Sequence, residues 1–428
     1  MSDSDPIIER NLTPLAKPRV RVDFVDSPAL IFDMIAALER GTGPLAVDAE
    51  RASGFRYSQS AYLIQLHRTG CPIFLIDPQA ALIAGDSELG SPANTALANF
   101  MATQTWILHA STQDLPCLQE LGLKPSSLID TELGSRLAGI PRVGLGSVVE
   151  HYLGLLLAKE HSAVDWSTRP LPASWLDYAA LDVEVLPALA EALLEDLSQQ
   201  GKLEIANQEF DHLLGFKPKE KKAERWRGTS GAQSIKSQRG LAVVRELWEA
   251  RESLAQKLDV SPGRLIPDSS IVFAASEPIR TKSELAGAKS FNGRASRTYL
   301  DTWWQAIQTG QTTHDLPSLK QPTSGIPNHR SWPTRFPDAD KRLKAARPVV
   351  QKIADDLNLP VENLLTPDFL RQLCWIFTDA TSDVSGYLQQ LGARNWQVEL
   401  VASPLRNVLI EAVTADERAE HADRSPED

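Results

Sequence analysis

Asp48 and Glu50 stand two residues apart at the end of an apolar run, Pro44-Leu45-Ala46-Val47, in a chain of 428 residues. The run predicts a buried strand, and side chains two apart on a strand share a face, so both carboxylates project together. Two like charges leaving a hydrophobic strand on one side repel unless something neutralises them. A divalent cation does this most simply, and hard oxygen donors suit Mg²⁺ or Mn²⁺. Taken alone, Asp-x-Glu is common and more often a solvated strand end than a metal site. Further acids in suitable settings turn the reading toward chemistry.

Two such acids follow. In His109-Ala110-Ser111-Thr112-Gln113-Asp114-Leu115 the chain leaves one buried strand, Thr105–His109, and enters a helix with Ser111 or Thr112 as N-cap. Asp114 then falls in the first helical turn, where an acid also offsets the macrodipole. Later, Tyr178 and Asp182 lie four residues apart on a helix that Pro172 can start, which sets a phenol and a carboxylate on one face. Between these segments, Lys159 and Arg169 flank Asp165-Trp166 in a structured loop that either holds a phosphate or anchors its tryptophan through salt bridges. The most basic run, 216–228, contains Arg225, Trp226 and Arg227; it reads as a solvated linker or as a surface that contacts a nucleic-acid strand.

The elements that must position these groups are legible in outline. A strand near Val22–Val25 precedes a helix capped by Asp26 or Ser27 and ending at Leu38. The acid-bearing strand follows, then a hairpin from Ala61–His67 and Pro72–Asp77 about a Thr69-Gly70 turn. Leu128–Asp130 predicts another short strand, and 151–158 fits a packed helix, too short to span a membrane. The helix from Pro172 continues through Leu197 with a kink at Pro187 and stops at Gly201. This order predicts a mixed sheet flanked by helices over 21–201, after a flexible arm, 1–20. A basic linker, 202–236, leads to two small all-α units, 237–310 and 339–413, joined by a Pro-rich tether, 311–338. In both units an amphipathic helix is followed by a turn and a Pro-Asp pair (Pro267-Asp268 and Pro367-Asp368), an internal repeat. Residues 414–428 read as a disordered acidic tail.

Composition narrows the class. With 42% hydrophobic and 23% charged residues the chain is ordinary globular protein, and its net charge of −11 argues against a surface coated for indiscriminate nucleic-acid binding. Three scattered cysteines exclude a disulfide framework or a cysteine zinc site and fit a reducing cytoplasm. The first residues have neither the basic nor the apolar region of a secretory signal.

Together, Val47-Asp48-Ala49-Glu50, His109 to Leu115 and Tyr178-Ala179-Ala180-Leu181-Asp182 resemble the three exo motifs of the DEDD superfamily of 3′→5′ exonucleases, in its tyrosine subgroup. The Lys159–Leu171 segment and the tandem helical units are similar to the ribonuclease D branch, whose C-terminal units are HRDC domains. The resemblance covers most of residues 20–410 and implies an RNase H-like α/β exonuclease fold. Ala49 stands where many relatives have Thr, and Gln113 where an acid is frequent; neither position is expected to touch metal. The resemblance further implies that Asp48, Glu50, Asp114 and Asp182 bind two divalent ions, Mg²⁺ or Mn²⁺. Asp48 would bridge them and Tyr178 would orient the attacking water. Two such ions clamp a phosphodiester and stabilise its attacking and leaving oxygens. The implied reaction releases nucleoside 5′-monophosphates from RNA 3′ ends, with tRNA precursors among the substrates. His109, Lys159, Arg169, Arg225, Trp226 and Arg227 are the candidates for contacting RNA, and a monomer without membrane attachment is expected. The same chemistry on DNA is the alternative, disfavoured by the lack of a helicase-type Gly-x-x-x-x-Gly-Lys-Ser/Thr loop; a non-catalytic RNA-binding scaffold is the third reading.

Overall fold

The computed structural model describes residues 12–83, 91–158, 163–218, 223–277, 279–320, 325–379 and 381–423, with side chains as far as residue 414. Six strands form one mixed sheet: β2 (Val22–Val25), β3 (Thr42–Arg51), β4 (Ala61–Thr69), β5 (Ile73–Ile76), β6 (Thr105–Leu108) and β7 (Ser127–Asp130). Their spatial order is β2-β5-β4-β3-β6-β7. The β3–β4 and β4–β5 pairs are antiparallel, whereas β2–β5, β3–β6 and β6–β7 are parallel.

β3 lies between two neighbours with both faces covered, which is why its apolar run does not alternate with polar residues. Leu45, Val47 and Ala49 join Ile31, Met34, Leu97 and Trp106 in the core beneath helices Pro28–Leu38 and Pro92–Met101. Ala46 faces the other way, toward Ala179, Val183, Leu186 and Leu189. These last residues belong to helices Ala173–Glu184 and Leu186–Gln199. Asp48 and Glu50 share the parity of Ala46, so the sheet sends them toward the helix that carries Tyr178 and Asp182.

Several expectations are corrected. The arm is ordered from Thr13: β1 (Thr13–Leu15) pairs in parallel with β8 (Leu155–Leu157), and Arg19 is held by Glu184 at 3.0 Å through both its amide and Nε. Residues 151–158 are not one helix, because Gly154 adopts φ +65°, ends the helix at Leu153 and turns the next three leucines into β8. At Pro187 the chain breaks into two helices rather than kinking one; the proline sits in the first turn of the second, where its missing N–H costs nothing.

The linker is also mostly structure. Leu203–Leu214 is a helix whose Phe210 is buried, and Glu209 binds Arg394 Nε at 2.5 Å and Trp396 Nε1 at 2.8 Å. Phe210, Leu193 and Leu197 thereby share one core with the second helical unit. In the tether, the preceding helix runs on to Thr312, and Trp332 is fully buried in that same core. The first part of the acidic tail continues the last helix, Asn395–Asp423, as the Ala-rich stretch 414–423, which has no Gly or Pro, permits; residues 424–428 lie outside the described residues.

The repeat is visible in the backbone. The first long helix of each unit, Gln238–Leu258 and Pro337–Asp356, is followed by a residue in the left-handed region, Asp259 at φ +46° and Asn358 at φ +49°. Asp and Asn tolerate that conformation better than other side chains. A short turn helix follows in each (Pro262–Leu265 and Val361–Leu364), and then the helix opened by the Pro-Asp pair. No helix of the described residues is long and apolar enough to cross a membrane.

Candidate active site

β3 and the helix Ala173–Glu184 bring three of the acids together: carboxylate oxygens of Asp48, Glu50 and Asp182 all lie within 4.8 Å of one another. Tyr178, one helical turn before Asp182, donates its hydroxyl hydrogen bond to that carboxylate. Asp114 hydrogen-bonds the Asp48 carboxyl. The sheet explains this meeting, since β6 runs parallel to β3 and its exit lies at the same end as the acid pair.

Asp114 is placed differently from expectation. A single 3₁₀ turn, Ser111–Gln113, intervenes, and the helix Leu115–Glu120 begins after Asp114, which holds its N-cap position. Its side chain makes no capping bond; it turns instead to the acids and to Arg51, whose Nη2 is 3.5 Å from Asp114 Oδ1. Helix-end electrostatics therefore do not account for this buried carboxylate.

Burial raises the pKa of all four acids, and their mutual repulsion adds to it for Glu50, Asp114 and Asp182. Glu50 is pushed up to about 10 by burial and by Asp48, Asp182 and Asp114. The Tyr178 hydroxyl is also pushed upward, by burial first and then by Asp182, Glu50 and Asp48, so it stays a phenol at neutral pH. Such a cluster cannot ionise fully by itself. Its donors are all hard oxygens that converge on one point, so its residues fit Mg²⁺ or Mn²⁺.

The remaining candidates divide otherwise. His109 Nδ1 lies 2.9 Å from Thr131 Oγ1, and burial lowers its pKa, so it is a neutral ring bracing the β6 exit. Arg169 is already engaged: Nε binds Asp77 Oδ2 at 2.5 Å, and the carbonyls of Tyr62, Trp166 and Thr168 accept from its other nitrogens at 2.7–2.8 Å. Trp166 is fully buried. Over its described residues the loop anchors a buried tryptophan beside a salt-bridged arginine; Lys159 lies outside the described residues. In the basic run, Trp226 is buried in the core of the first helical unit. Arg227 is bound by Glu224 at 2.8 Å, and Arg225 sits 3.6 Å from Glu252 and over Trp248. Acids of the same chain use these cations: Glu224 is three residues from Arg227, whereas Glu252, the partner of Arg225, is distant in sequence. Sequence reasoning missed two residues, Arg51 and Asp130. The second carried a local signal, an acid directly before the helix that follows β7.

Residues 22–198 match the 3′–5′ exonuclease family, residues 240–307 the HRDC domain, and residues 325–409 the 3′ to 5′ exonuclease C-terminal domain. The fold and acid cluster thus define a protein with a DEDD-type exonuclease domain. Ribonuclease D of Sphingobium indicum is 30% identical over 44% of this chain, although the match spans only about half (48%) of that relative's length. Ribonuclease D of Escherichia coli is 27% identical over 86% of this chain and 93% of its own. Its crystal structure, of an exoribonuclease involved in structured RNA processing, superposes with a TM-score of 0.63 at 25% identity, covering 91% and 99% of the two chains. A Bifidobacterium adolescentis protein of known structure is more similar: 37% identity, TM-score 0.83, covering 94% of this chain and all of that one. The chain thus carries a 3′–5′ exonuclease domain followed by an HRDC domain, and in sequence and fold it is similar to ribonuclease D.

Proposed function

We propose that the protein is a 3′→5′ exoribonuclease that hydrolyses phosphodiesters with two divalent ions, Mg²⁺ or Mn²⁺, and releases nucleoside 5′-monophosphates. The observation that carries this reading is the convergence of Asp48, Glu50 and Asp182 within 4.8 Å, with Asp114 hydrogen-bonded to Asp48 and Tyr178 to Asp182. Asp48 would be shared between the ions, Glu50 and Asp182 would complete one site, and Asp114 would support the other. The ions, when bound, neutralise the phosphodiester and stabilise charge on its attacking and leaving oxygens. Tyr178 orients the attacking water by its hydroxyl; its raised pKa suits a positioner and not a base. Asp48, Glu50 and Asp182 are half-buried and Asp114 is buried, which strengthens every charge interaction among them.

Stable RNA, tRNA precursors included, is the substrate class we assign. Beyond the cleft, His329, Arg330 and Arg371 line a cavity of about 780 Å³ on the second helical unit, and Arg347 and Arg371 line its neighbour. The exposed guanidinium groups of Arg330 and Arg347 suit the backbone of an RNA whose 3′ end reaches the acids, whereas Arg371 is paired with Asp368 at 3.3 Å. A monomer in the reducing cytoplasm fits the three buried, free cysteines. Matched single-stranded RNA and DNA oligonucleotides, labelled at the 5′ end and digested with Mg²⁺ or Mn²⁺, test the assignment. Stepwise shortening of RNA from its 3′ end with 5′-monophosphate products is expected. Preferential digestion of DNA would transfer the chemistry to the other substrate, and no digestion of either would leave a binding scaffold.

A further inference from the structure

Arg51 directly follows the acid pair, and an unbroken strand would point it away from Asp48 and Glu50. The β3–β4 register shifts between Glu50 and Arg51, and this irregularity re-aims the side chain. Arg51 Nη2 consequently reaches Asp114 Oδ1 at 3.5 Å. The contact is single and longer than the 2.7–2.9 Å of a tight charge-assisted bond. The Arg51 side chain is 25% exposed and that of Asp114 only 7%, so the guanidinium lies on the solvent side of the acid, where a substrate would approach. Its charge also acts on Asp48 and Glu50.

We propose that Arg51 is a substrate-binding cation of this site, one that holds Asp114 while the acids are free of metal and passes to a phosphate oxygen of RNA when metal takes its place. The proposal rests on the exonuclease reading of the cleft. A guanidinium and a divalent ion compete for the same carboxylate, because each neutralises it. Once displaced from Asp114, the guanidinium has a planar fork that matches phosphate. The two halves of this role have opposite consequences on mutation. Loss of Arg51 removes a competitor for the acids and strengthens metal binding, yet it removes an anion ligand and weakens RNA. A residue that merely held the fold would weaken both.

The test uses the full chain with Arg51→Met and Arg51→Lys. Mn²⁺ binding is measured without RNA by the loss of the free-ion electron paramagnetic resonance signal, and KM and kcat are measured on single-stranded RNA at saturating Mn²⁺. Arg51→Met should bind Mn²⁺ roughly three- to tenfold more tightly, while its KM rises about tenfold and kcat changes little. Arg51→Lys, which keeps the charge, should lie between it and wild type in both measurements. Mn²⁺ binding by Arg51→Met that is unchanged or weaker, or a KM equal to wild type, overturns the proposal. A wild-type protein that binds Mn²⁺ but releases no nucleotide would sink the exonuclease reading, and the phosphate half of this one with it. The Mn²⁺ titration would still decide the competition.

Discussion

Asp130 accepts the backbone amide of Ser111 at 2.8 Å, and the same carboxylate takes the amides of Ala110, Glu132 and Leu133 at 3.2, 2.9 and 3.0 Å. One buried acid thus caps the helix after β7 and also ties down the turn after β6, where Ala110 is in the left-handed region at φ +60°. Thr131 adds bonds to His109 Nδ1 and the Leu108 carbonyl. The turn that delivers Asp114 is therefore bolted to the neighbouring strand. Asp130→Ala leaves these amides without their acceptor and should destabilise the protein by about 2 kcal/mol or more. Asp130→Asn keeps one uncharged acceptor and should lose less in a denaturation midpoint. At a temperature where both variants are folded, each should need more Mn²⁺ for half-maximal binding than wild type.

Metal-free protein should lose stability as pH rises. Glu50 has a folded pKa of about 10 against an ordinary 4.5, so between these values the folded state holds a proton that the unfolded chain has released. Stability from this group is full below about pH 4.5 and declines toward pH 10. Divalent ions bind the ionised acids and should oppose the decline, so the Tm gain from Mn²⁺ should grow from about pH 6 to pH 8. Glu50→Gln does not titrate; its metal-free Tm should fall less steeply. A Tm gain independent of pH would contradict this linkage.

Tyr178→Phe removes the hydroxyl that bonds Asp182 and keeps the ring. We expect kcat on RNA to drop roughly 100-fold, with Mn²⁺ affinity nearly preserved, since the phenol is placed as a water positioner and not a metal ligand. Loss of metal affinity equal to that of Asp182→Ala would contradict the role.

The loop after the acid strand is clamped by the first helical unit. Asp259 accepts the Ser58 amide at 2.8 Å and the Tyr62 hydroxyl at 3.2 Å, and Arg264 donates to the Gly54 carbonyl at 2.8 Å while covering the Phe55 ring. Arg264→Ala should therefore lower kcat on a short single-stranded RNA roughly tenfold, although Arg264 lies outside the exonuclease domain. A short oligonucleotide is used so that RNA contacts elsewhere on the helical units do not enter the measurement. Unchanged turnover would confine that unit to other roles.

Which features the sequence discloses follows from the range of the forces behind them. Asp48 and Glu50 are readable because strand alternation is local, and Tyr178 and Asp182 because helical spacing is. Asp114 is readable by its setting, although the 3₁₀ turn that makes it an N-cap residue depends on Asp130 from another strand. Arg51 is hidden, because the register shift that re-aims it depends on pairing with β4. Trp226, Trp332 and Phe210 sit in polar or Pro-rich sequence and are buried only by distant partners. The basic run misleads in part for the same reason, as the distant Glu252 pairs with Arg225, whereas the Glu224–Arg227 pair is local, three residues apart.

The most direct test of the central claim is nucleotide release from the 3′ end of a single-stranded RNA, with Mg²⁺ or Mn²⁺ or with chelator, by wild type and by Asp48→Ala. Release of 5′-monophosphates that needs the metal and falls by about 10³-fold or more in Asp48→Ala, which would lose the proposed shared ligand, is the expected result. Release that persists in chelator, or that survives the substitution at a comparable rate, would contradict it.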